Sequence, residues 1–243
     1  MSFFNKLILA ASFIVLCISF FNRNALIDDI PLAPSLFAEP KQSKLNKRPF
    51  NTQFNGINYQ IKPLYKYDLH GIIVSFRHHD GDTGTHKRWG DHINISDVCV
   101  VWDEMAASPY LNEMSFWSGQ FTCNFSTSND EVWSHFNADQ LSNNHLISDD
   151  VIIRNAIQEV KIGDQIHIKG WLSQYVNESG GSRGTSTVRT DSGNGACETI
   201  FVNEFEIIRP YNNPWRVAMY TSLGIFILLL IMYFRSPHKA YRK

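Results

Sequence analysis

The stretch Val217 to Phe234 constrains this chain most. It runs for about 18 residues without a charge, and as a helix it reaches about 27 Å, close to the hydrocarbon thickness of a bilayer. Trp215 and Arg216 stand at one end, Tyr233 and Arg235 at the other, as interfacial anchors do. The tail from Arg235 to Lys243 is basic with no acidic residue, so the positive-inside bias places it in the cytoplasm. A second apolar run, Leu7 to Phe21, follows Lys6. It has the layout of a secretory signal, but no small-x-small cleavage site follows it, and it reads as a retained signal anchor. Both termini are therefore expected in the cytoplasm, with Asn22 to Asn213 exported.

Between these ends the 243 residues are 44% hydrophobic with a net charge of -1, enough for one ordinary core and without the basic bias that nucleic acid selects. No nucleic-acid partner and no cofactor is expected. The division is residues 1–24 as anchor, 25–50 as a Pro- and Lys-rich tether, 51–210 as a β-rich domain, and 211–243 as the second membrane helix and its tail. Pro31, Pro34, Pro40 and Pro49 with Lys41, Lys44, Lys47 and Arg48 give the tether its semi-extended, solvated character.

Alternation marks the domain as β. Ile166, Ile168 and Leu172 point one way from a strand that opens at the Gly163-Asp164 turn, while His167, Lys169 and Trp171 point the other. Ile57 to Pro63, Leu69 to Arg77, Val98 to Trp102 and the aromatic run Phe116 to Phe125 read as further strands, and His78 to Gly90 as a polar loop. Arg183 to Thr190 and Ala196 to Val202 flank Asp191-Ser192-Gly193-Asn194-Gly195, which predicts a closing β-hairpin. Ser148 reads as the N-cap of one amphipathic helix carrying Ile152, Ile153, Ala156, Ile157 and Val160. The expected fold class is α+β, mainly antiparallel β as a curled sheet or small barrel, with one amphipathic helix, flanked by two transmembrane helices.

Ser142-Asn143-Asn144-His145-Leu146-Ile147, Gly163-Asp164-x-Ile-x-Ile-x-Gly170, and Arg189-x-Asp191-x-Gly193-x-Gly195-Ala196-Cys197-Glu198 together resemble a family of uncharacterised bacterial membrane-anchored proteins. The resemblance covers about the last two thirds of the exported domain. It implies a bacterial inner-membrane protein with a periplasmic central domain, and it supplies no catalytic residue. The order His145, Gly163-Asp164, Cys197, Arg209 is faintly similar to that of the sortase transpeptidases, whose Thr-Leu-x-Thr-Cys signature is replaced here by Gly195-Ala196-Cys197.

Four groups of residues carry chemistry in principle. His78, His79, His86 and His92, among the acids Asp80, Asp82 and Asp91, are metal ligands by type, without a tight metal spacing. Cys99, Cys123 and Cys197 lie in an oxidising compartment, and Cys123 with Cys197 is the expected disulfide. Arg183, Arg189, Asp191 and Glu198 form a charged set on the predicted hairpin, read as a binding surface or as cross-strand ion pairs. His145, Cys197 and Arg209 are the alternative catalytic set. No residue near His145 in sequence completes a base-orienting pair, so a packing role is expected for it. The resulting expectation is a non-enzymatic binding or assembly module of the envelope, with the bilayer and an envelope protein or a second copy as partners. The alternative is an envelope hydrolase or transpeptidase using Cys197 and His145, or a metal held by the His78 to His92 loop.

Overall fold

A computed structural model describes residues 3–26, 30–191 and 196–236. In chain order its elements are α1 (Phe3–Asn22), β1 (Lys41–Lys44), β2 (Phe50–Phe54), β3 (Ile57–His78), α2 (Gly84–Trp89), β4 (Asn94–Val101), α3 (Asp103–Ala106), β5 (Ser115–Ser118) and β6 (Cys123–Ser126). There follow α4 (Asp130–Ser134), β7 (Leu141–Ile147), α5 (Val151–Gln158), β8 (Gln165–Asn177), β9 (Ser182–Arg183), β10 (Glu198–Arg209) and α6 (Pro214–Arg235). The chain divides into two compact units, one made of Met1–Ile27 with Asn212–Lys243 and the other of Asp28–Tyr211.

The terminal unit pairs α1 with α6. Each helix is long and apolar enough to span a membrane, at 20 and 22 residues. Phe13 and Phe226 meet across them with ring centroids 5.5 Å apart. Pro214 opens α6, where a missing N–H costs nothing, and the Asn213 side chain caps it by accepting from the Trp215 N–H at 2.8 Å.

The central unit is α+β, built on a mixed and largely antiparallel curled sheet. β3 makes the curl. Its residues 59–72 pair with β8 and its residues 72–78 with β4, so the two ladders overlap only at Ile72. From β4 the sheet continues to β7, then to β10 in parallel, then back to β8. The ends of the sheet thus meet on one bent strand, and the curled sheet rather than a closed barrel is the form adopted. The runs Ile57 to Pro63 and Leu69 to Arg77 are parts of this single 22-residue strand, which bends at register shifts beside Pro63 and Ser75.

Inside the curl lie Val98, Val100, Leu146, Ile166, Ile168, Leu172 and Ile200, all fully buried, with Ile157 of α5 packed against them. Each such side chain contributes roughly 1.5–3 kcal/mol on burial. Asp150, not Ser148, caps α5, accepting from the Ile152 and Ile153 N–H groups; Ser148 Oγ instead accepts from the Asp150 N–H. The Gly163-Asp164 turn forms as expected. Gly163 has φ +92°, and the Tyr211 ring occupies the place a Cβ would take, so only glycine fits there.

Three further expectations need correction. The stretch taken as a solvated tether is largely part of the central unit. Leu36 is buried, β1 pairs with β3, and the Ala33 N–H donates to Gln165 Oε1 at 2.8 Å, because the apolar Leu36 outweighs the polar bias around it. No closing hairpin forms among the described residues. Ser182–Arg183 pairs with β8, and β10 lies between β7 and β8, so the second run takes its strand partners from the sheet and meets the first run only through isolated hydrogen bonds such as Ser186 N–H to the Cys197 carbonyl. Gly193 and Gly195 lie outside the described residues. Finally, the disulfide joins Cys99 to Cys123, with their Cα atoms 5.7 Å apart, and leaves Cys197 a free thiol.

Candidate functional site

The alternation that turns Val98, Leu146 and Ile200 into the core turns their neighbours to the opposite face of the sheet. Asp97 on β4 faces His145 on β7, which faces Thr199 on β10; one step along, Cys99 faces Asn143. Cys197, two residues before Thr199, falls on this same face. Its carbonyl accepts from the Ser186 N–H at 2.8 Å, and the next turn is stitched by Thr199 Oγ1 donating to the Gly184 carbonyl at 2.7 Å.

This polar face does not open directly to water. The excursion from β4 to β7 lays the β5–β6 hairpin over it, fastened by the Cys99–Cys123 bond. At the tip sits Phe121, with φ +64°, a conformation that a bulky residue adopts only where its surroundings impose it. Its ring stacks on Trp89 at 5.8 Å, meets His86 at 5.1 Å and carries the Arg183 guanidinium at 4.2 Å. Its carbonyl accepts from Asn143 Nδ2 at 3.0 Å and lies 3.7 Å from the Cys197 sulfur.

Beneath this cover, His145 Nδ1 makes a short hydrogen bond to Asp97 Oδ1. Cys197 lies close enough to the same imidazole to raise its pKa. Asn143 Nδ2 donates to the sulfur, at 3.3 Å. His79 Nε2 lies 2.9 Å from the oxygen that His145 uses, off the line of a hydrogen bond. Burial opposes a charged His145, yet the bond to Asp97 and the neighbouring Cys197 outweigh it and raise its pKa to about 9. Burial likewise works against an ionised Asp97, but the hydrogen bond from His145 and the adjacent His79 hold its pKa well below the usual carboxylate range.

A second node adjoins the first through His79 and His86, whose ring centroids are 3.9 Å apart. His86 Nδ1 lies 3.1 Å from Asp91 Oδ2, the Tyr175 hydroxyl donates to Asp91 Oδ1, and Arg183 Nη2 is 3.6 Å away. These donors lower the pKa of Asp91 against its burial. His86 Nε2, Asp97 Oδ2, Asn143 Oδ1 and Arg183 Nε are buried with no hydrogen-bond partner among the described residues. A native interior satisfies nearly all such atoms, so several in these two adjoining nodes are unusual.

The structure sorts the sequence candidates plainly. His145 and Cys197 come together, whereas Arg209 is exposed at the end of β10 and donates to the Pro31 carbonyl at 3.1 Å. Of the four histidines proposed as ligands, His79 and His86 meet, while His78 packs on Phe76 and His92 bonds Asn55. The charged set disperses too. Arg183 joins the buried node, Arg189 pairs with Glu39 at 2.6 Å, Asp191 accepts from Ser186 Oγ at 2.6 Å, and Glu198 is buried on the core side of the sheet. Sequence reading missed Asp97, Asn143 as a donor, Tyr175 and Phe121. Asp97 lies 48 residues before His145, and the one signal for it was a lone acid ahead of an apolar strand.

Comparison with family models, curated proteins and solved structures finds no match to this chain.

Proposed function

We propose that the central domain is a thiol-dependent acyl-transfer enzyme of the bacterial envelope, a hydrolase or transpeptidase, held at the inner membrane by α1 and α6 with the domain on the periplasmic side. One observation carries this reading: Asp97 orients His145 through Nδ1 and Cys197 adjoins the same imidazole, a grouping that supplies the nucleophile, base and orienting acid of a catalytic triad. In this mechanism the Cys197 sulfur bonds to the carbonyl carbon of an amide or ester, and the proton on His145 Nε2 passes to the leaving nitrogen or oxygen as its bond to that carbon breaks. Water, or an acceptor amine, then takes the acyl group from the thioester. Asn143 Nδ2 provides an N–H donor at the sulfur, where an oxyanion would sit, and Arg183 brings positive charge to the Phe121 ring that covers the site.

The reading is tested with the intact protein in detergent on a Cys17→Ser background, following alkylation of Cys197 by iodoacetamide from pH 5 to 9. Reaction should persist at pH 6 and fall at least tenfold there in His145→Ala, with Asp97→Asn in between. Equal rates in wild type and His145→Ala at pH 6 would reject the triad.

A second reading, a docking module for an envelope protein or a second copy, is favoured by Trp117 and Trp133, which stand half exposed on the same excursion that covers the site. It requires no change in thiol reactivity when His145 is replaced.

A further inference from the structure

We propose that Asp68, His70 and His167 form a binding site for a zinc-class divalent ion on the face of β3 and β8 turned away from the apolar core. Asp68 and His70 are two apart on β3 and so share a face, and His167 is the direct cross-strand partner of His70 on β8. One carboxylate oxygen, Asp68 Oδ1, lies 2.9 Å from His167 Nε2 and 3.6 Å from His70 Nδ1. Ligand atoms on a tetrahedral ion with bonds near 2.0–2.1 Å stand about 3.3 Å apart, so this spacing already brackets what an ion requires.

The two imidazoles stack at 3.9 Å with their planes 9° apart. Each ring has to turn about its Cβ–Cγ bond for the nitrogens to converge, and both are partly open to solvent on one side, which leaves room for that turn. Two neutral nitrogens and one carboxylate suit zinc and its first-row neighbours and not calcium or magnesium, which take oxygen. The nearest cations are Lys169, already paired with Glu204 at 3.1 Å, and Lys41, the register partner of Asp68 on β1. The ion would tie β3 to β8 along the part of β3 that carries the curl. Three protein ligands leave it a position for water or for a group from another molecule.

This site is independent of the thiol site, and the experiment keeps the two apart. Zinc is titrated into the intact protein in detergent against a chromophoric zinc indicator, and cobalt is added in parallel to read tetrahedral coordination from its visible absorption. The expected result is about one zinc per chain, at least tenfold weaker in His167→Gln and in Asp68→Asn, with unchanged melting temperature of the metal-free variants. The same zinc affinity should persist in His79→Ala and in Cys197→Ser. Two results would overturn the proposal: no saturable zinc binding by the wild type, or binding that survives in His167→Gln and Asp68→Asn and is lost in His79→Ala or Cys197→Ser, which would put the ion in the buried cluster.

Discussion

At the scale of the residue, the buried titratable groups His145, Glu198 and Asp97 have a consequence for pH. His145, with its pKa raised to about 9, favours the folded state fully below its ordinary value near 6.5, and that contribution is lost as pH rises from there to 9. Glu198 acts in the same direction for a different reason. Burial, with no partner for Oε2 among the described residues, raises its pKa to about 8, so the folded state holds a proton that the unfolded state releases above about 4.5. Both groups therefore make stability fall as pH rises, most steeply between about 6.5 and 8, at roughly 1.4 kcal/mol per pH unit for each group. Asp97 works at the other end, its stabilisation present above pH 4 and lost on acidification. Melting temperature should thus decline from pH 6.5 to 9, and Glu198→Gln should flatten that decline below pH 8. A Glu198→Gln variant whose pH profile overlays the wild type would show that Glu198 is ionised in the folded protein.

Among the elements, the β5–β6 hairpin is the one held by a covalent tie among the described residues. The Cys99–Cys123 bond fixes it to β4, and the carbonyl of Phe121 at its tip lies 3.7 Å from the Cys197 sulfur. Replacing both cysteines by serine should cost about 2–4 kcal/mol in a denaturant melt. It should also speed alkylation of Cys197, because the Phe121 cover is then held only by packing. Peptide mapping without reductant should recover Cys99 joined to Cys123 and Cys197 unlinked; a Cys123–Cys197 peptide would contradict the arrangement. Pairing Cys123 with Cys197 presumes that both lie on strands of one sheet, but Cys123 belongs to the separate two-stranded β5–β6 sheet. With β7 lying between β4 and β10, Cys123 is carried over Cys99. Sequence reading also left β7 itself unread, since Leu141 to Ile147 carries Ser, Asn, Asn and His, and the alternation score of such a strand is poor.

For the whole molecule, two apolar helices at the ends of one chain predict a double anchor. A reporter that is active only outside the cytoplasm should be silent when fused after Lys243 and active when inserted at Glu178 or Ser179, in the exposed turn between β8 and β9. Activity at Lys243 would reverse the topology. The sequence alone determined what is local: helices set by length and absence of charge, strands set by alternation, the Gly163-Asp164 turn set by a residue without Cβ, and α5 set by its apolar period. Only the tertiary structure decided what is long-range. Whether Asp97, His145 and Cys197 meet depends on β7 entering between β4 and β10, and on a parallel β7–β10 pairing that no neighbouring residues specify. Pairing order follows from burying one face of each strand on a shared core, a condition summed over the whole chain, and the site lies on the face left over.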